Sequence, residues 1–197
     1  KIGSGLLRKA GELAASVRTP ANAVIVTDST VNRLYAEMLT SSLQAAGFTV
    51  FKSVIPAGEQ SKNAKILIDT LNFMAECRLT RADTVFALGG GVVGDLAGLA
   101  AALFMRGIGL VQLPTTLLAA VDSSVGGKTA IDLKTGKNLV GAFYQPDLVI
   151  CDTETLKTLP QSEFSNGCAE VIKYGFIRDA SLFDRLLSDF FDAQTVI

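Results

Sequence analysis

Short unbroken apolar runs alternate along this chain with longer segments in which apolar side chains recur every three or four positions. Residues 22–27 read as a buried strand, and Val31, Leu34, Tyr35, Met38, Leu39 and Leu43 then follow at helical spacing until Gly47 stops them, which makes a first strand-helix unit. Residues 48–55 predict a second strand, 56–61 a loop, and Ala64, Leu67, Ile68, Leu71 and Met74 a second apolar helical stripe. Further short strands are expected at 83–88 and 109–113, separated by a helix that opens on a glycine turn. This alternation predicts an α/β fold: a Rossmann-like, mostly parallel sheet with helices on both faces. From Gln161 onward no strand signal remains, and 164–177 and 182–191 read as successive helices. The expected organisation is therefore an α/β domain over 1–159 and the start of an all-helical second domain over 160–197.

The bulk composition narrows the class. With 197 residues, 49% of them apolar, and a net charge of −1, the chain can bury a substantial core. Eighteen basic against nineteen acidic residues offer no patch for nucleic acid and no anchor for a membrane. The most hydrophobic stretch, 96–121, is divided by Arg106 and interrupted by Gln112 and Pro114, so it predicts no membrane span. No basic segment followed by an apolar run opens the chain, and Cys77, Cys151 and Cys168 are odd in number without C-x-x-C spacing, which points to reduced thiols in a cytoplasmic protein. Histidine is absent, which excludes Ser-His and Cys-His couples and deprives any metal site of its commonest ligand.

The glycine turn carries the first chemical signal. In residues 84–95 an apolar strand meets Gly89, Gly90, Gly91 and Gly94 and runs on into a helix, an arrangement in which missing Cβ atoms and free helix N–H groups can face a pyrophosphate. Gly89, Gly91 and Gly94 fit G-x-G-x-x-G, yet no acidic residue lies between Asp95 and Asp122 to take a ribose, so this is not an ordinary dinucleotide start. Gly126-Gly127-Lys128-Thr129 resembles the end of a P-loop, but Asp122 stands where its first glycine belongs, which argues against a triphosphatase. Lys128, Lys137 beside Asn138, and Arg106 remain as cations near polar loops. Glu170 and Lys173, three apart, share a helix face among Val171, Ile172 and Phe176, and a partly buried carboxylate there calls for a strong partner such as a metal.

Five motifs occur together and in order: Gly-Gly-Gly-Val-Val-Gly-Asp at 89–95, Leu-Pro-Thr-Thr at 113–116, Val-Asp-Ser-Ser-Val-Gly-Gly-Lys-Thr at 121–129, Gly-Lys-Asn at 136–138 and Ala-Glu-Val-Ile-Lys-Tyr-Gly at 169–175. In this the chain resembles the 3-dehydroquinate synthase family over nearly its whole length. The resemblance implies conversion of 3-deoxy-D-arabino-heptulosonate 7-phosphate to 3-dehydroquinate and phosphate in the shikimate pathway, with NAD and Zn2+ or Co2+. It places NAD at Glu59, Lys62, Gly90, Gly91, Val92, Val93, Gly94, Asp95, Thr115, Thr116, Lys128, Lys137, Thr155, Leu156, Lys157 and Thr158. It places the sugar phosphate substrate at Arg106, Asp122, Lys128, Asn138 and Lys173, and a metal on Glu170 with two histidines of the helical domain. Ala57 stands where related chains often carry Asp. The chain is expected to be a fragment, inactive alone, of an enzyme that forms a homodimer. Other readings are a sugar-phosphate cyclase making inosose or valiolone rings, a metal-dependent polyol or alcohol dehydrogenase, and a nucleotide-binding module without catalysis.

Overall fold

The computed structural model describes residues 1–188. Strand β1 (Ile2–Gly3) leads into helix α1 (Ala10–Ala15), and β2 (Asn22–Asp28) into a helical segment made of α2 (Ser29–Val31), a π-helical turn (Asn32–Ala36) and α3 (Glu37–Ala45). Then come β3 (Thr49–Ile55), α4 (Ala64–Glu76), β4 (Thr84–Gly89), α5 (Gly91–Leu103) and β5 (Gly109–Pro114). Strands β6 (Lys128–Leu133) and β7 (Gly136–Phe143) precede the short β8 (Leu148–Val149) and β9 (Cys151–Asp152), and the helices α6 (Gln161–Ile177) and α7 (Ala180–Ser188) close the described chain.

Five strands form one parallel sheet in the order β3-β2-β4-β5-β8. Their sequences dictate this: β4 and β5 are buried at every position, as strands covered on both faces must be. Alternate side chains separate into two cores. Val24, Val26, Val85, Ala87 and Leu110 pack towards α4 and α5, while Ala23, Ile25, Phe86, Leu88, Val111 and Leu113 pack towards α1 and α3. The expected fold class and strand-helix alternation are what the structure contains. A third cluster joins Leu117 and Leu156 to Phe164, Cys168 and Val171 of α6 and Leu186 of α7. The part of the expected second helix beyond Ser188 lies outside the described residues.

One element was not foreseen. Residues 128–143, to which the sequence reading assigns no element, form an antiparallel hairpin of β6 and β7 with a register shift between Ile131 and Leu133. The hairpin lies on α5 because Gly98 leaves room: a Cβ there would stand 2.5 Å from Thr129 Cγ2. Strand β7 is exposed almost throughout, so no apolar alternation announces it. Among the described residues, no helix is long and apolar enough to cross a membrane.

Candidate functional site

From β2 the chain moves outward to β3 and then returns to place β4 and β5 on the other side of β2, so the strand order reverses between β2 and β4. Loops at such a reversal diverge and leave a crevice at the strand C-termini. Here it is a cleft of about 1000 Å³. Gly90, Gly91, Val92 and Val93 form part of its lining, at the start of α5. No side chain caps that helix, and its first helical hydrogen bond runs from the Gly94 amide to the Gly90 carbonyl at 3.0 Å. The amides of Gly91, Val92 and Val93 therefore have no acceptor within the helix and present its positive end.

The four glycines of this turn do two different jobs. A Cβ on Gly90 would lie 3.0 Å from Thr116 Cγ2, and one on Gly91 would lie 3.1 Å from Ser123 Oγ, both at the cleft. At Gly89 it would meet Val93 Cγ2 at 2.6 Å, and at Gly94 it would meet Gln112 Oε1 at 2.9 Å. The last two glycines serve packing of strand and helix, which corrects the reading that all four clear the way for a ligand.

Ion pairs organise the rest. Lys62, only 5% exposed, sits 2.5 Å from Asp95 Oδ2 and also donates to Asn138 Oδ1. Burial pushes the Asp95 carboxyl up from its ordinary value, and the hydrogen bond and charge of Lys62 pull against that. Asn138 adopts a left-handed backbone (φ 58°), held by its own amide donating to Asp132 Oδ1 at 2.7 Å, while the Asp132 amide donates to the Lys62 carbonyl at 2.8 Å. Lys128 Nζ lies 2.7 Å from Asp122 Oδ1, and Lys137 Nζ lies 2.9 Å from Glu59 Oε1, whose hydrogen bond and charge raise the lysine's pKa.

Of the residues singled out from sequence, the cleft gathers Glu59, Lys62, Gly90, Gly91, Val92, Val93, Asp95, Thr115, Thr116, Asp122, Lys128, Asn138, Thr155 and Thr158. Thr115 is buried with its hydroxyl unpartnered. Lys137 is not in the lining and reaches the rim through Glu59. Gly94, Leu156 and Lys157 are outside it: Leu156 is buried in the α6 core, and Lys157 pairs with Glu154 at 2.8 Å. Arg106 is separated from the glycine turn by the whole of α5, thirteen residues and about 20 Å of helix, and so lies at the other end of the sheet. Glu170 and Lys173 are hydrogen-bonded to each other outside the cleft lining, with side chains 27% and 48% exposed. The carboxylate is thus partly buried, as expected, and its partner is the lysine; Phe176, 70% exposed, packs on Phe183. Among the described residues no group of three His, Cys, Asp or Glu side chains could hold a metal.

Sequence reasoning passed over Asp28, Tyr35, Leu34 and Glu163, all of which line the cleft. Asp28 ends β2 and accepts from the Thr30 and Val31 amides at 2.8 and 3.0 Å. The G-x-G-x-x-G pattern places a ribose acid downstream of the glycine turn, whereas the strand beside β4 is β2, which comes earlier; an acid ending a buried strand is the available signal. Leu34 was assigned to the core by its spacing but is 48% exposed.

This chain shares its fold with solved sugar-phosphate cyclases. The 2-epi-5-epi-valiolone synthase of Streptomyces hygroscopicus, solved with NAD+ and Zn2+ bound, superimposes with a TM-score of 0.86 at 34% identity over 94% of this chain and 51% of that one. Residues 52–166 match the family described as 3-dehydroquinate synthase N-terminal, and the chain belongs to that family. The 3-dehydroquinate synthases of Caulobacter vibrioides and Clostridium acetobutylicum are 53% and 50% identical over 94% of this chain in each case, and 50% and 52% of their own lengths. The chain thus spans about half the length of the curated relatives it matches.

Proposed function

We propose that this chain is the nucleotide-holding half of a 3-dehydroquinate synthase, which turns 3-deoxy-D-arabino-heptulosonate 7-phosphate into 3-dehydroquinate and phosphate. The observation that carries the proposal is the uncapped N-terminus of α5 at the base of the cleft, beside glycines that leave no Cβ in the way. Identities of 50–53% to synthases, against 34% to the valiolone cyclase, favour this substrate over other rings.

The residues present fit NAD. The Gly91, Val92 and Val93 amides take the pyrophosphate, the unpartnered Thr115 hydroxyl supplies a further polar contact, and Asp28 at the end of β2 accepts a ribose hydroxyl. The chemistry that NAD supplies when bound is reversible hydride acceptance. Lys128 and Asn138 hold the sugar phosphate from the hairpin side, with Asp122 orienting the Lys128 ammonium. Holding the substrate folded also serves the ring closure, which depends chiefly on proximity.

A metal does not fit this chain by itself. Glu170 is engaged by Lys173, no further ligands accompany it among the described residues, and the sequence contains no histidine. We accordingly propose that the 197-residue chain binds NAD+ but does not turn over the heptulosonate phosphate. Calorimetric titration of NAD+ with and without Zn2+ tests this: zinc-independent binding is expected, and a folded chain that binds no NAD+ would refute it. Release of phosphate from substrate by the purified chain would refute the second half.

A further inference from the structure

The strand ends opposite the cleft also bring polar groups together. Arg18 lies in the loop before β2, Arg81 in the loop before β4, Gly107 in the turn before β5, and Tyr144, Gln145 and Asp147 in the loop before β8. Because these strands are parallel, their four entry loops meet at one end of the sheet. They enclose a polar cavity of about 130 Å³ that shares no lining residue with the cleft.

The two guanidinium groups of this cavity are held in place with donors to spare. Arg18 Nε stands 3.8 Å from Asp147 Oδ2, and Arg18 Nη2 donates to the Ala82 and Asp83 carbonyls at 3.3 and 3.5 Å, all of them long contacts. Arg81 Nε donates to the Met105 carbonyl at 3.0 Å, which leaves its Nη groups for another acceptor. Met105 and Arg106 are both left-handed (φ 52° and 67°), and strained backbone of this kind persists where its surroundings fix it, often at ligand clamps. Asp147 is fixed in turn, its Oδ2 accepting from the Leu110 amide at 3.1 Å. A Cβ on Gly109, which lines the cavity, would stand 2.7 Å from Arg18 Nε and 2.8 Å from Thr84 Oγ1, a buried hydroxyl without a partner. A hydroxyl left unpaired beside a guanidinium calls for a ligand atom.

We propose that this cavity binds a protonated phosphate group, with Arg18 and Arg81 donating to its oxygens and Asp147 accepting from its P–OH. Two cations against one carboxylate give the cavity a net positive charge and disfavour a metal ion. An oxyanion without a proton would leave one oxygen facing the Asp147 carboxylate unpaired. Phosphate keeps a proton at neutral pH, so one oxygen donates to Asp147 while the others accept from the arginines. The volume admits one phosphate group and little more, so the ligand is inorganic phosphate or the phosphoryl end of a larger molecule reaching in from solvent. The site stands independently of the NAD cleft.

The test follows amide NMR spectra of the whole chain, at constant ionic strength, as inorganic phosphate, sulfate or glycerol phosphate is added. Phosphate is expected to shift the Gly107, Gly109, Leu110 and Asp147 amides saturably. Sulfate, with no proton to offer Asp147, is expected to bind about tenfold more weakly. Arg81→Gln should weaken phosphate about tenfold, as for loss of a charge-assisted hydrogen bond. Asp147→Asn keeps an acceptor for the Leu110 amide and gains a donor, so it should bring sulfate level with phosphate; it carries the test should Arg81→Gln fail to fold. Glycerol phosphate binding as tightly as phosphate identifies a phosphoryl group on a larger molecule as the ligand, and weaker binding identifies free phosphate. Shifts confined to the cleft amides of Gly91, Val92 and Val93 would overturn the site. So would sulfate binding as tightly as phosphate, unchanged affinity in Arg81→Gln, or a phosphate preference that survives Asp147→Asn.

Discussion

At the scale of single residues, the cleft depends on one buried lysine. Lys62 lies against Asp95 and Asn138 at 5% exposure, and a charge so placed is tolerated only with its partners. Asp95→Ala is expected to cost about 3 kcal/mol in denaturant unfolding, because it strands the ammonium. Lys62→Met together with Asp95→Leu should recover much of that loss, and a strictly additive double variant would show that the pair is not coupled. Family resemblance pointed to Lys62, Asp95 and Asn138 from the sequence, but not to the device that joins them. The left-handed backbone of Asn138 and its tether to Asp132 leave no trace in composition or spacing. Asp28 was legible in principle, as an acid ending an apolar strand, and was missed because the strand order of the sheet is not written in the order of the chain.

At the scale of elements, near-continuous apolar runs made β2, β4 and β5 readable, since strands covered on both faces are largely apolar. The hairpin escaped because β7 has almost no buried face and is held by pairing and by its seat on α5. Its glycines therefore matter unequally. Gly141→Ala would drive a Cβ to 2.0 Å from the Thr129 carbonyl oxygen, and about 3 kcal/mol of lost stability is expected, as for other severe backbone clashes. Gly126→Ala meets nothing within 4 Å and should cost only the left-handed strain, about 1–2 kcal/mol. Thermal melts of the two variants decide this, and equal losses would count against the packing account. Helix α7 offers a pH test through Asp179, which accepts from the Ser181 hydroxyl and from the Ser181 and Leu182 amides. The Ser181 hydroxyl foremost, then the Leu182 amide, hold its carboxyl below the ordinary value. The stabilisation is thus present above the ordinary carboxylate range and is lost as pH falls through the lowered value. Amide exchange at Ser181 and Leu182 should quicken on acidification, and Asp179→Asn should blunt that response.

At the scale of the whole molecule, the cleft draws on Asp28, Glu59, Gly91, Thr115, Lys128 and Thr158, so a ligand seated there braces segments from most of the chain. NAD+ at a hundred times its Kd is expected to add about 2.7 kcal/mol to folding. For a chain of this size that raises Tm by about 5–10 °C, which scanning calorimetry reads directly; a Tm that ignores NAD+ would separate the cleft from the cooperative core. Lys62, Lys128 and Lys137 each arrive with a carboxylate already in hand, from Asp95, Asp122 and Glu59. Of these, Lys128 lines the cleft with Lys62, and its ammonium keeps N–H donors beyond the one that Asp122 engages, so an incoming phosphate meets a cation whose charge is already shared and whose position is already set. A cleft whose cations are shared in this way is expected to favour molecules carrying several negative charges at fixed intervals over a lone monoanion.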